Sequence, residues 1–299
     1  MKTSDLIVAI SVCALWGFNF SVIKLGVDHL DPFLLTALRL SFAALPGVFL
    51  LPRPEVAMRF VALYGLLFGV GLWGIMSLSI HWGLSAGMAS VVLRGSAFFS
   101  VLIGVYWFRE RLNLAARIGV ALSLAGLGLS FYLEDGSVTV IGLLLALLAG
   151  LSLSLLSALV KQLQVQQMLA FIVWSCLFAP VPLLLLASWV NGTQVIEVLS
   201  SGLSSSAWFS ILFQAYPTTV LGYWLWSRLL VKYPMSALAP LSLLVPLFGV
   251  CGSMLFYGER IGGLKTVALG LVLAGVLAPF IGAALTRKAI ATLSKKNAQ

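Results

Sequence analysis

An all-α membrane protein of ten transmembrane helices, arranged as two inverted sets of five, is what this sequence predicts. Three observations predict it. The 299 residues are 61% hydrophobic and only 9% charged, with a mean hydropathy of +1.09, whereas a soluble chain is about a quarter charged. The apolar residues fall into ten runs long enough for the about 20 residues that a 30 Å hydrocarbon core demands. The chain also matches itself at a fixed spacing. A disulfide-rich secreted fold is excluded, because Cys13, Cys176 and Cys251 are odd in number and lie inside apolar runs. A β-barrel is excluded as well, since each run is about twice a barrel strand and lacks period-2 alternation.

The runs are 6–27, 32–51, 60–80, 86–107, 113–133, 138–160, 168–190, 206–230, 235–257 and 262–285. The first reads as an uncleaved helix, since no small-x-small site follows Lys2 and Trp16-Gly17-Phe18-Asn19 continues the apolar stretch. The second opens at Asp31-Pro32, and Pro52-Arg53-Pro54-Glu55 closes it. Glu134-Asp135-Gly136-Ser137 separates the fifth run from the sixth, and the longest connection is the Ser/Gly-rich stretch 191–205, read as loop. With the amino terminus placed inside, thirteen of the eighteen Lys and Arg residues fall on the inner side. Lys24, Arg260 and Lys265 fall outside, and Arg39 and Arg94 lie within spans. The net charge of +9 therefore reports topology, with both termini cytoplasmic in the inner membrane and no call for nucleic acid.

Phe108-Arg109-Glu110-Arg111-Leu112 matches Tyr257-Gly258-Glu259-Arg260-Ile261 at an offset of 149 residues, and Ala125-Gly126 falls on Ala274-Gly275 at the same offset. Near the start of each half, Lys24 matches Lys161 at an offset of 137. Units of 1–134 and 135–286 follow, with 287–299 as a cytoplasmic basic tail. Five spans per unit is odd, so the second unit enters the membrane upside down, an arrangement common in secondary transporters, whose substrate site lies between the repeats.

Trp16-Gly17-Phe18-Asn19-Phe20 with Lys24, Arg39 after Asp31-Pro32, Gly83-Leu84-Ser85-Ala86-Gly87, the two Glu-Arg turns and Ala239-Pro240-Leu241-Ser242-Leu243-Leu244-Val245-Pro246 together resemble the EamA-type families of the drug/metabolite transporter superfamily. The resemblance covers essentially the whole chain and is closest to bacterial inner-membrane exporters of the O-acetylserine/cysteine and aromatic amino-acid kind. It implies ten helices in two inverted repeats around a central cavity, and efflux of small solutes. Leu153 and Leu156 stand where Trp16 and Asn19 would recur, so the cavity is expected to be chemically asymmetric.

Charges inside a bilayer default to function, because Arg at a helix centre costs about 2.5–3.5 kcal/mol on insertion scales. Arg39 and Arg94 lie seven and eight residues into their spans, roughly 10–12 Å below the outer end at 1.5 Å per residue. Both are candidates to meet a substrate carboxylate with a planar fork; helix-end carbonyls or snorkelling are the structural alternatives. Trp16, Trp73 and Tyr223 are candidates for the solute's side chain, Asn19 and Gln214 for hydrogen bonds. Trp82, Trp107, Trp189 and Trp208 fit an aromatic belt, and Ser96-xxx-Ser100-xxx-Gly104 and Gly249-xxx-Ser253 fit helix packing. Lys24 and His81 are placed as gate residues, with snorkelling the alternative for Lys24. Pro217, Pro240 and Pro246 are placed as hinges, each expected to free the carbonyl four residues back.

No phosphate-binding loop, metal-spaced cysteine set or nucleophile triad occurs, so no enzyme activity and no cofactor are called for. The expected partners are a small solute, membrane lipid and at most a weak second copy. All nine acids lie at or beyond span ends, which favours facilitated or exchange transport, or coupling through His81 or a tyrosine, over a midmembrane carboxylate relay. The leading function is amino-acid export by alternating access. The alternatives are exchange of phosphorylated sugars or nucleotide-linked metabolites, and, from another class, a channel or membrane-embedded enzyme.

Overall fold

The first chain reversal shows how the turns are written. Asp28 and His29 close the first helix through backbone bonds to Lys24 and Gly26. Asp31 then caps the second helix, its carboxylate accepting from the amides of Phe33 and Leu34 at 2.9 Å, with Pro32 at the first helical position. In the computed structural model this pattern repeats down the chain. The structure describes residues 1–96, 98–109, 114–133, 135–233, 238 and 241–296, with backbone alone over 279–280 and 283–296. Among these residues every regular element is helical.

The elements are α1 Thr3–Val27, α2 Pro32–Leu50, α3 Met58–His81, α4 Ala86–Tyr106, α5 Leu114–Ser130, α6 Val140–Leu163, α7 Met168–Asn191, α8 Gln194–Ser201, α9 Ser205–Lys232, α10 Leu241–Tyr257 and α11 Gly263–Lys296. Six of them (α1, α2, α3, α4, α6 and α7) are long and apolar enough to cross a membrane, and α8 with α9, bent by 99°, supplies a seventh when taken together. The apolar helices α5, α10 and the part of α11 over Gly263–Ala278 are shorter. Large apolar side chains such as Phe49 (83% exposed) and Trp189 (84%) point out of the bundle, where only hydrocarbon solvates them favourably.

One expectation needs correction. The stretch read as loop between Asn191 and Ser205 carries α8, whose Val195 is buried while Ile196 and Glu197 face outward. The basic tail continues α11, helical in backbone to Lys296; Lys and Arg have good helix propensity, so nothing stops the helix where the apolar run ends.

Helices α3 and α9 share a departure from α geometry. Leu67–Gly74 and Gln214–Leu221 are wound as π-helix, wide turns that recur at functional sites. α7 is interrupted between Ser175 and Pro180. α1 runs through the middle, against α2, α3, α4, α9 and α10. Its crossing with α10 is backbone-close: a Cβ on Gly17 would lie 2.6 Å from the Val245 carbonyl and 2.9 Å from the Gly249 nitrogen. Small residues permit such approach where lipid offers no hydrophobic drive. Gly17→Val is therefore expected to lower the unfolding free energy in detergent by about 2 kcal/mol or more. Gly270→Val, on an open face of α11, should leave the melting curve in place, and equal curves for the two variants would refute the close-crossing account.

Candidate functional site

Arg39 projects from the second turn of α2 into the protein and is 1% exposed. Among the described residues no carboxylate pairs with it. Its Nη1 donates to Gln214 Oε1 at 2.6 Å, its Nη2 lies 3.5 Å from Thr219 Oγ1, and its Nε has no partner. The guanidinium stacks over the Trp73 ring, 4.7 Å from the centroid, a contact worth about 2 kcal/mol when desolvated. Gln214 is held in turn, its Nε2 donating to Ser210 Oγ at 2.9 Å. A neutral dipole, two weak hydroxyl and ring contacts and an idle N–H are a thin answer to a buried cation.

The two π-stretches supply the surroundings of Arg39. In α9 the wide turn brings Gln214, Thr218 and Thr219 to one side, and the Thr218 and Thr219 hydroxyls donate to the Gln214 carbonyl at 2.6 and 2.8 Å. Thr218 Oγ1 also lies 3.4 Å from the Phe213 carbonyl. Pro217 leaves that carbonyl without its helical donor, as its sequence position implies, but the hydroxyl covers it, so the acceptor is not open to a ligand. In α3 the wide turn presents Trp73 to Arg39 and Phe68 to Tyr223.

Aromatic rings close the surroundings. Trp16 stands 5.3 Å from Tyr223 and 5.4 Å from Trp226, and its Nε1 donates to the Thr218 carbonyl at 2.9 Å. Phe20 and Phe68 each lie 6.3 Å from Trp73, and Tyr64 packs on Phe68 and Phe171. Three further buried atoms lack partners: Asn19 Oδ1, Ser21 Oγ and Trp73 Nε1. Unpaired buried donors and acceptors carry a cost of about 1–3 kcal/mol each. The cluster therefore holds two spare donors, Arg39 Nε and Trp73 Nε1, which suit a ligand bearing an acceptor, whereas Ser21 Oγ lies beside Gly252 of α10.

Arg39, Trp73, Gln214, Trp16 and Tyr223 thus come together. Arg94, half-buried, ends the α4 segment Ala86–Gly95, where a cation complements the helix C-terminus. It makes no hydrogen bond or ion pair among the described residues, and Tyr223 lies within electrostatic reach of both arginines. Lys24 pairs with Asp28 one turn on, and His81 is exposed at the end of α3, away from the cluster. Pro246 follows the 3-10 turn Leu241–Leu243 with which α10 opens, in the first turn of the α-helix Leu244–Tyr257. Pro240 lies outside the described residues. The residues that sequence reasoning missed are Phe20, Tyr64 and Phe68, which read as ordinary core, and Thr218 and Thr219.

A second polar cluster was also missed. Lys265, placed as a topological surface charge, is 2% exposed. It pairs with Glu259 and, at 3.2 Å, with Asp135; Glu259 also accepts from Ser85 Oγ at 2.6 Å and from Ser253. This cluster borders a cavity of about 400 Å³ at the Val27 end of the bundle. At the opposite end Asp5 accepts from Tyr233 at 2.8 Å and from Lys232 at 3.4 Å.

Helices long and apolar enough to cross a membrane surround a buried guanidinium that no carboxylate among the described residues neutralises, with polar ties at both ends of the bundle. The chain belongs to the EamA-like transporter family, whose pattern it matches twice, over residues 3–132 and 140–280. It is similar to a probable amino-acid metabolite efflux pump of Salmonella typhimurium, strain LT2, being 32% identical over 97% of this chain and 99% of the relative. It is 30% identical to the probable amino-acid metabolite efflux pump of Escherichia coli K12, over 92% and 94% of the two chains. A solved crystal structure of a 17% identical protein shares the fold, with a TM-score of 0.64 over 97% of this chain and 99% of the other.

Because Gln214 supplies the firmest bond to Arg39, Gln214→Leu should cost about 3 kcal/mol of stability. Gln214→Glu, which keeps an acceptor and adds a counter-charge, should cost less. Denaturant unfolding of the purified variants checks this, and a Gln214→Leu protein as stable as the parent would overturn the bond's assigned role.

Proposed function

We propose that the chain is a secondary exporter of amino acids and related small zwitterionic metabolites, working by alternating access across the cytoplasmic membrane. One observation carries the reading: Arg39 is buried with no carboxylate partner among the described residues, its Nε free and the free Nε1 of Trp73 in the ring it stacks on. A substrate carboxylate would occupy Arg39 Nε and Trp73 Nε1, its ammonium would face Asn19 Oδ1, and an apolar or aromatic side chain would lie among Trp16, Phe68 and Tyr223. Arg94 would add a supporting positive field. One guanidinium suits a carboxylate monoanion better than a phosphate monoester dianion. The relatives' description as probable amino-acid metabolite efflux pumps supports the same class.

The proposed architecture is ten spans in two inverted five-helix repeats, over 1–134 and 135–286, with both termini cytoplasmic. The double family match, the π-stretches in the third span of each half and the inner-side excess of Lys and Arg support it. In this orientation the Val27 end faces outward, and Pro217 in its wide turn is the natural place for α9 to bend.

Thermal unfolding of the detergent-purified chain tests the substrate reading, since a ligand that binds only the folded state raises the melting temperature. L-phenylalanine, L-leucine and L-cysteine at millimolar concentration should raise it by several degrees, and phenethylamine, lacking the carboxylate, should not. Arg39→Ala should abolish the shift and counterflow in proteoliposomes, with Arg39→Lys retaining part of both. Full shifts in a folded Arg39→Ala protein would sink the assignment.

A further inference from the structure

On the outer wall of the bundle, towards the Lys232 end, lies a groove of about 460 Å³ that has no part in the Arg39 chamber. One wall is the end of α2, with Leu50 and Leu51, and the other is α9 from Tyr216 to Trp224. Leu50 and Leu221 on its rim are exposed, so it opens sideways, where lipid lies. Its α9 wall is the back of the π-stretch Gln214–Leu221. One face of that stretch carries Gln214 and Thr219 to Arg39, and the other gives Tyr216, Pro217 and Leu221 to the groove. On the α2 wall Gly47 adds no side chain, because a Cβ there would lie 2.5 Å from Val173.

Apart from the Tyr216 hydroxyl and the Trp224 indole N–H, every side chain lining the groove is apolar. A helix about 10 Å across, rising 5.4 Å per turn, fills such a volume with about one turn, too little to seat a second copy. A single acyl chain is slender enough to lie along it. At the Lys232 end the groove finishes on a cation. Arg228 lies one turn beyond Trp224, and its guanidinium stacks on that indole, 4.9 Å from the ring centroid. It is exposed, and no carboxylate pairs with it among the described residues. Arg53, two residues past Leu51, is also exposed and in no ion pair among them. Lys232, one further turn along α9, already has Asp5. The charge at the mouth of the groove is therefore unanswered by the protein itself.

We propose that this groove binds one anionic phospholipid of the leaflet on the Lys232 side, with an acyl chain in the groove and the phosphate on Arg228. A planar fork of N–H donors takes a phosphate bidentately, and the Trp224 face keeps that fork at the mouth. Arg53 adds to the positive field there. A phosphocholine headgroup brings its own cation to the same place and gains less. The site is independent of which solute the chain carries. A lipid held here stands behind the turn that presents Gln214 to Arg39, so it stabilises the folded chain by binding that form alone.

Native mass spectrometry of the full chain in detergent, titrated with dioleoylphosphatidylglycerol or dioleoylphosphatidylcholine, tests this. The first phosphatidylglycerol should bind about fivefold more tightly than the first phosphatidylcholine, the effect expected of one arginine at a headgroup. Arg228→Gln should bring the ratio to roughly twofold or less, and Arg228→Lys should keep part of it. Arg117→Gln, which removes an equally exposed charge on α5, should leave it unchanged. Leu221→Trp, filling the groove, should lower the ratio as far as Arg228→Gln does, and Leu50→Trp fills it from α2 should Leu221→Trp not purify. Phosphatidylglycerol should also raise the parent's melting temperature by several degrees more than phosphatidylcholine, and Arg228→Gln should remove that difference. Equal affinities for the two lipids in the parent, an equal loss with Arg117→Gln, or a full preference in a groove-filled variant overturns the proposal.

Discussion

The structure depends on holding one guanidinium at membrane depth without a counter-ion. Removing a full charge from water is expensive, and an aspartate opposite Arg39 would have neutralised it at once. The protein instead surrounds it with groups that stabilise a cation without cancelling it: the Gln214 amide oxygen, the Trp73 face and a distant Thr219 hydroxyl. Each demands local backbone that a regular helix does not give, and the two π-stretches in α3 and α9 flank the charge for that reason. Irregular backbone inside a membrane survives only when buried in protein, and α1, α2 and α7 bury it here.

The ends of the bundle solve the opposite problem. There the charges are matched, Lys265 with Glu259 and Asp135, Lys232 with Asp5, Lys24 with Asp28. The pairings differ in setting. Lys232 is half exposed, so its pair contributes little, whereas Lys265 is sealed and depends on its partners. Among the described residues the buried ion pairs thus gather at the Val27 end, while Arg39 at the centre has no carboxylate partner.

The sequence made most of the apolar helices legible to within a few residues at their starts, because span length is imposed by hydrocarbon thickness and boundaries such as Asp31-Pro32 and Ser85 carry turn chemistry. It also made Arg39, Trp73 and Gln214 legible as candidates, since intramembrane polarity is rare enough to stand out. It did not show that these three touch: residues 39 and 214 lie on different helices of different halves, and no periodicity links them. The Lys265 cluster stayed hidden for another reason. A lysine beside a loop reads as topology, and only the folded chain shows that Glu259 and the linker aspartate close over it. Helix α8 was masked by Asn191-Gly192 before it and Ser200-Ser201-Gly202 after it, which advertise a loop while Val195 and Val198 between them turn inward.

Duplication explains why the central site is built from unequal parts. The family pattern occurs twice, yet at the offset that pairs Lys24 with Lys161, Arg39 pairs with Cys176, Trp16 with Leu153 and Asn19 with Leu156. The π-stretches recur in both halves, but Gln214 opens one and Leu67 the other. The scaffold is therefore repeated and the chemistry is not. The guanidinium comes from the first half and its firmest acceptor from the second, so the Arg39–Gln214 bond spans the two repeats. The firmest bond of the buried guanidinium is thus also a bond between the halves, so whatever alters the surroundings of Arg39 acts on the contact between them.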